Sequence, residues 1–395
     1  MTTKRDLKSI IRERQHKTGE SYTAARVHVM RERAQRLGIP DEPHAANPEA
    51  SQLHATEPPA TEAPIIEPET PEMETPEPET SATPIGQPPV QVEAAVLKVG
   101  TMSTSRIRIL GEDEQITLRS RGVFALAPGQ IITLRIEKRW KYRGNEYASG
   151  KIERARVDVG KLGLEPLPLS GGNLVDLRDH YEHVRDPDPY APLWRRITAE
   201  PRAWYEMDGI AWGAFPDGDP DDNPTCDAAE LSAAGDLDGA RELLMDTLLR
   251  DLRCLDAHAH LGNQLFDRSP QRALIHYEIG IRIGELSLPD GFDGVLPWSS
   301  LYNRPFLRCL HGYALCLWRL GRTEDAIQVF ERILALNPND NQGARFCWYD
   351  ARQGKTWEQA QAAEDAEKAR RAEAVRKVRA KQARQATRRP GPSAN

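Results

Sequence analysis

Between residues 307 and 338 the apolar and small positions recur with a helical period: Leu310, Tyr313, Ala314 and Leu317, then Gly321, then Ala326 and Phe330, closing on Pro338. Steps of three and four place these side chains on one face of each of two successive helices. Gly321 supplies the turn, Ala314 and Ala326 let the helices approach closely, Leu317 and Phe330 fill the space around them, and Pro338 stops the second helix. The spacing recurs upstream, with His258, Leu261, Gly262 and Leu265 on one helix and Ala273, Tyr277 and Gly280 on the next. A weaker copy precedes it through Ala228, Leu231, Gly235, Ala240, Leu244 and Leu248, with Pro224 in the place of the opening aromatic, which predicts a short first helix. After Pro338 the register continues through Ala351 and Ala360, but Glu364 replaces a bulky apolar residue, so a polar-faced capping helix is expected.

Residues 92–168 carry a different period. Ile107 and Ile109, Ile116 and Leu118, and Ile132, Leu134 and Ile136 alternate as strand residues do, with Pro128-Gly129 and Arg143-Gly144-Asn145 as turns. A small barrel or meander fits. Trp140 and Tyr142 fall in phase with the apolar positions, and Arg135, Arg139, Lys141 and Arg143 share the opposite phase. One reading continues the core face through the aromatics and coats the other face with solvated charge. The other makes Arg139, Trp140, Lys141, Tyr142 and Arg143 a nucleic-acid contact, with rings stacking on bases and cations holding phosphates.

Charge divides the rest of the 395 residues. Residues 1–38 read as a basic helical hairpin, with Leu7, Ile10 and Ile11 on an apolar stripe, Gly19 at the break and Ser21 as a cap. Residues 39–91 read as a disordered acidic, Pro-rich linker, since 41–89 contain no Lys or Arg and alternate Glu with Pro. A connecting segment, 169–223, precedes the helical repeats at 224–360, and 361–395 form a basic helical or disordered tail with too few apolar residues for a coiled coil. The fold class expected is therefore multidomain α+β, a helical repeat domain preceded by a small barrel-like domain. The net charge of −6 averages over these opposed blocks. Five cysteines without a Cys-x-x-Cys pair read as reduced thiols, and no early apolar run or long apolar stretch suggests export or membrane insertion, so the cytoplasm is the expected compartment.

The paired-helix pattern resembles the tetratricopeptide repeat. The phrases running from Asp251 to Asn263, Leu296-Pro297-Trp298, Asn303-Arg304-Pro305-Phe306 and the run from Asn337 to Arg345 resemble, more closely, a group of uncharacterised bacterial cytoplasmic repeat proteins. The insertion at 289–305 departs from a plain array. The resemblance implies that the first helix of each pair lines a groove, which turns Asn263, Phe266, Arg308, His311, Arg319, Arg345, Tyr349 and Arg352 toward a ligand. Guanidinium groups there favour an acidic protein or peptide, because they pair bidentately with carboxylates. The competing reading makes Arg308, Asn341, Gln342 and Arg345 a structural network around the insertion.

No nucleophile motif, dinucleotide fingerprint or phosphate loop occurs, and no cofactor is implied. His180 and His183 share a helical face near Asp176, Asp179 and Asp186, but no second ligand group is tied to them, so no metal is expected. Trp194, Trp204, Tyr205 and Trp212 are expected to cover the junction between barrel and repeats. The reading that follows is a non-enzymatic adaptor for a protein or peptide, expected to be acidic so that its carboxylates meet the groove arginines. The alternative is a nucleic-acid-associated regulator using the basic N-terminal hairpin, the tail and the Arg139–Arg143 hairpin.

Overall fold

The computed structural model describes residues 90–100, 103–178, 189–209 and 223–386. The N-terminal hairpin, nearly all of the acidic linker, His180, His183, Trp212 and the last residues of the tail lie outside them.

Alternating apolar residues close into a five-stranded barrel: β1 (Val90–Val99), β2 (Thr104–Ile109), β3 (Gln115–Arg119), β4 (Gln130–Tyr142) and β5 (Asn145–Val157). The order around the barrel is β1-β2-β3-β5-β4, with β4 returning to β1. Every pairing is antiparallel except β3 with β5. Ala94, Val96, Ile107, Ile116, Leu118, Ile132, Leu134 and Ala148 are fully buried inside it. β1 begins two residues before the boundary expected from composition.

The β4–β5 hairpin turns on Arg143 (φ 47°) and Gly144 (φ 75°), a left-handed pair that suits a tight turn. A bulge between Ile136 and Lys138 corrects the expected phase of this hairpin. Ile136 faces inward opposite Gly150, but the next pair is Lys138 with Ser149, so one extra residue of β4 is absorbed. Arg139 then falls opposite the buried Ala148, and Lys138, Trp140 and Tyr142 turn to the outer face. The aromatics do not continue the core.

A second, two-stranded sheet is formed by β6 (Leu169–Val175) and β7 (Arg202–Met207), with the short helix α1 (Ala191–Ile197) between them in sequence. Trp204 and Tyr205 stitch this sheet to the 289–305 insertion, while the barrel touches the repeats directly. Tyr205 N–H donates to the Val295 carbonyl (2.9 Å) and Val295 N–H to that of Ala203 (2.8 Å). Arg202 donates to the carbonyls of Asp293 (2.6 Å), Gly294 (3.0 Å) and Ala335 (2.6 Å). Asn303, fully buried, accepts from Met207 N–H (2.8 Å) and donates to the carbonyls of Tyr205 (3.0 Å) and Pro297 (3.1 Å). The insertion is thus a structural strap, its backbone groups paired with β7 and with the end of a repeat helix.

The repeats follow as α2 (Pro224–Ala233), α3 (Leu237–Arg250), α4 (Leu255–Phe266), α5 (Pro270–Glu285), α6 (Arg304–Arg319), α7 (Thr323–Leu336), α8 (Ala344–Arg352) and α9 (Trp357–Ala386). Asn223 caps the short α2, its side chain accepting from the backbone N–H groups of Thr225 and Cys226. Tyr277 of α5 is buried between α4 and α6, its ring seated on Gly262 and Gly312, and its hydroxyl donates to Asn263 (2.6 Å). A Cβ at Gly312 would lie 2.3 Å from that ring. Phe306 fills the matching space against Gly284. α9 carries Glu364–Lys368, Glu367–Arg371 and Glu373–Lys377 pairs, each four residues apart, along an exposed surface.

Barrel and repeats share one hydrophobic core. Lys98 of β1 pairs with Asp246 of α3, Gly129 lies against Ile279 of α5, and Leu167 N–H donates to the Ser287 hydroxyl (2.7 Å).

Candidate functional site

The eight groove residues expected from the repeat register fall into separate neighbourhoods. Arg308 reaches across from α6 to Asp256 on α4 (2.7 Å), and its guanidinium lies 5.6 Å from the Trp298 ring centroid, beside that of Arg304 at 5.2 Å. Burial alone would raise the Asp256 carboxyl, but the charges of His260 and Arg308 outweigh it and hold it below the usual carboxylate range. Arg308 therefore ties two repeats to the strap. His311 turns inward against Phe330, its Nε2 buried and without a hydrogen-bond partner among the described residues.

Phe266 and Arg319 meet at the C-terminal end of α4, whereas Asn263, one turn earlier, accepts from the Tyr277 hydroxyl. Arg319 donates to the carbonyls of Phe266 (2.6 Å) and Asp267 (3.0 Å), and its guanidinium covers the Phe266 ring at 5.2 Å. Trp357, at the start of α9, packs edge-on against both Phe266 and Trp318 at 5.6 Å. A third group gathers on α8. Arg345 pairs with the buried Asp340 (3.1 Å), which also accepts from the backbone N–H groups of Ala344 and Arg345 and so caps the helix. Its guanidinium covers Phe346 at 4.5 Å, while Tyr190 packs against Phe346, Trp348 and Tyr349.

Glu331 of α7 organises the last neighbourhood. It accepts from Arg196 of α1 (2.8 Å) and from the Trp348 indole (3.0 Å), and Arg352 lies 3.5 Å away. Burial would raise this carboxyl, but those donors and the two guanidinium charges lower it.

Two clefts open among these groups. One, of about 560 Å³, lies between the α6–α7 and α8–α9 turns and is lined by Trp318, Arg319, Ile327, Arg352, Lys355 and Glu358, among others. A second, of about 310 Å³, runs between α1 and α8 past Pro192, Arg196, Glu331, Tyr349 and Arg352. Arg319 and Arg352 thus share the larger cleft and Tyr349 and Arg352 the smaller. Asn263, Phe266, Arg308, His311 and Arg345 line neither.

On the barrel, the hairpin residues divide by face. Arg139 is 3.2 Å from Glu112 and 3.4 Å from Glu146, and Lys141 is 2.9 Å from Glu146. Trp140 stacks on Tyr147 with ring centroids 5.6 Å apart and planes 13° from parallel. Tyr142 lies under the guanidinium of Arg143 at 5.3 Å. The phase of the sequence gave no hint of Arg119, Lys138 and Tyr147, which join this face only through the bulge and the parallel β3–β5 pairing.

Burial dominates the titration of the thiols and imidazoles inside the repeats. All five cysteines are free thiols, and burial pushes those of Cys254, Cys316 and Cys347 up to about 12. Among the described residues, no three or more His, Cys, Asp or Glu come together as metal ligands. Burial lowers His258 and His311 to about 4, and it holds His276 well below the ordinary imidazole value, helped by the charges of His258, Arg241 and Arg272. Below pH 6.5 the unfolded chain protonates these rings before the folded chain does, so stability present at neutral pH is lost as pH falls toward 4. Asp340, raised by burial to about 6, works in the opposite direction over the same window. Three imidazoles outweigh one carboxyl. Urea unfolding at pH 4.5 should show a free energy lower than at pH 7 by on the order of 4 kcal/mol.

Residues 307–348, spanning α6, α7 and the start of α8, match the family model of the tetratricopeptide repeat. No curated protein and no solved structure matches the chain. No helix among the described residues is long and apolar enough to cross a membrane.

Proposed function

We propose that this chain is a non-enzymatic cytoplasmic adaptor whose repeats bind a carboxylate-bearing protein or peptide in the cleft between the α6–α7 and α8–α9 turns. A tetratricopeptide repeat supports a protein-interaction role in general terms. The observation that carries the finer reading is the convergence of Arg319, Arg352 and Lys355 on one opening that also offers Trp318 and Ile327. Arg352 is exposed, with Glu331 as its 3.5 Å counter-ion, so an incoming carboxylate meets a cation already positioned over Trp348. Arg319 is fixed by the backbone carbonyls of Phe266 and Asp267, and its counter-ion, the Asp267 carboxylate 3.6 Å away, is itself exposed, so an incoming carboxylate can take its place. Free thiols in every cysteine position suit a reducing compartment.

A fluorescent 12-residue Glu-rich peptide carrying one Leu should bind the full chain, as read by anisotropy. Arg319→Gln with Arg352→Gln should weaken it by about tenfold or more, corresponding to two lost charge-assisted hydrogen bonds. Equal affinity for parent and double variant would reject the cleft.

A further inference from the structure

We propose that the outer face of the barrel, centred on the Trp140–Tyr147 stack, is a binding surface for single-stranded nucleic acid. Strand register places its residues together. Arg106 pairs with Thr117, Thr117 with Tyr147, and Tyr147 with Trp140, one row crossing β2, β3, β5 and β4. The neighbouring row runs Thr104, Arg119, Ser149 and Lys138. Directly paired residues point to the same face of a sheet. Their neighbours in sequence, Ile107, Ile116, Leu118 and Ala148, point inward and are fully buried, so both rows face out.

Charge on the hairpin is sorted by face. Arg139 and Lys141 are matched by Glu112 and Glu146. Arg119, Lys138 and Arg143 have no carboxylate at ion-pair distance among the described residues, and each instead lies against a ring. The Arg119 guanidinium is 5.8 Å from the Trp140 centroid and 5.5 Å from that of Tyr147. Lys138 Nζ is 5.9 Å from Trp140, and Arg143 is 5.3 Å from Tyr142. Contact with a ring face orients a cation while leaving its charge uncompensated.

That combination distinguishes the ligand. An acidic peptide satisfies the cations but has no use for a stacked pair of flat rings. A strand of nucleotides uses both, bases extending the Trp140–Tyr147 stack or lying on the Arg119 plane, and phosphates meeting Arg119, Lys138 and Arg143. Duplexes keep their base faces covered, so the ring surface favours unpaired strands. The surface is separate from the repeat cleft, and its success or failure leaves the adaptor reading untouched.

The test is fluorescence anisotropy of the full chain with 12-nucleotide oligo-dT and oligo-U at about 50 mM salt. Binding should occur to at least one, the tighter of the two naming DNA or RNA as the source, with a log–log salt slope of about −2 for three phosphate contacts at about −0.7 each. Trp140→Ala should weaken binding about tenfold through the lost stack. Arg119→Glu with Lys138→Glu, both at exposed positions outside the core, should weaken it at least as much, whereas Arg139→Gln with Lys141→Gln should stay within about twofold of the parent. Failure to bind either oligonucleotide would overturn the proposal. So would unchanged affinity in the Trp140 and Arg119/Lys138 variants, including binding lost only on removing residues 376–395, or displacement by a 12-residue polyglutamate as effective as by the oligonucleotide itself.

Discussion

Asn303→Leu should lower the free energy of unfolding by about 2–5 kcal/mol, because it takes the Asn303 partner from Met207 N–H and the Tyr205 carbonyl, each costing about 1–3 kcal/mol when left unpaired, and removes one of two donors to the Pro297 carbonyl. The amide of Asn303 accepts from Met207 N–H and donates to the carbonyls of Tyr205 and Pro297 at 2.8–3.1 Å, and the Pro297 carbonyl also accepts from Ser300 N–H (3.2 Å). Leu is close in volume, so the loss reports hydrogen bonding rather than a cavity. The denaturant midpoint in urea is the readout, and a loss below about 1 kcal/mol would mean that the strap is not held in this way.

Gly312→Ala should also destabilise, by about 2–3 kcal/mol, although an alanine in mid-helix ordinarily gains about 1 kcal/mol over glycine. The added Cβ would sit 2.3 Å from the Tyr277 ring, and that ring lies so close to Gly262 on the other helix that a Cβ there would also come within 2.6 Å of it, which leaves it little room to retreat. The coupling can be isolated. Tyr277→Ala alone should cost about 3–5 kcal/mol, and the Gly312→Ala/Tyr277→Ala pair should cost less than the two single changes together, since the clash disappears with the ring. Additive losses would show that Gly312 and Tyr277 do not meet.

How much of this could be read from the chain varies with the kind of physics involved. The repeat helices were legible because Ala314, Ala326, Gly262 and Phe330 obey a local period, and close helix packing depends on which small residue recurs where. β2, β3 and most of β4 were legible for the same reason. β5 was not singled out, since only Ala148 is fully buried within it and its other positions are polar or half-exposed. β6, with Gly171 and Gly172, carries no alternating apolar run, and β7 packs against the strap rather than into a two-sided core.

The candidate sites were legible as residue types and not as partnerships. Arg308 was singled out, but its partner Asp256 lies 52 residues away and owes its position to the stacking of α4 on α6. Glu331 was not singled out at all, and it determines the surroundings of both Arg196 and Arg352. On the barrel, a single extra residue between Ile136 and Lys138 reverses every side chain that follows, which moves Trp140 from an expected core position to the outer face. Spacing alone carries no mark of such a bulge.

The central claim, that the repeats receive a carboxylate-bearing peptide between the α6–α7 and α8–α9 turns, is tested most directly by hydrogen–deuterium exchange of the full chain with and without the Glu-rich peptide at saturation. The account predicts added protection at residues 318–327 and 351–358, around Arg319, Arg352 and Lys355, with the barrel unchanged. Protection confined to the barrel, or to α9 beyond residue 364, would contradict it.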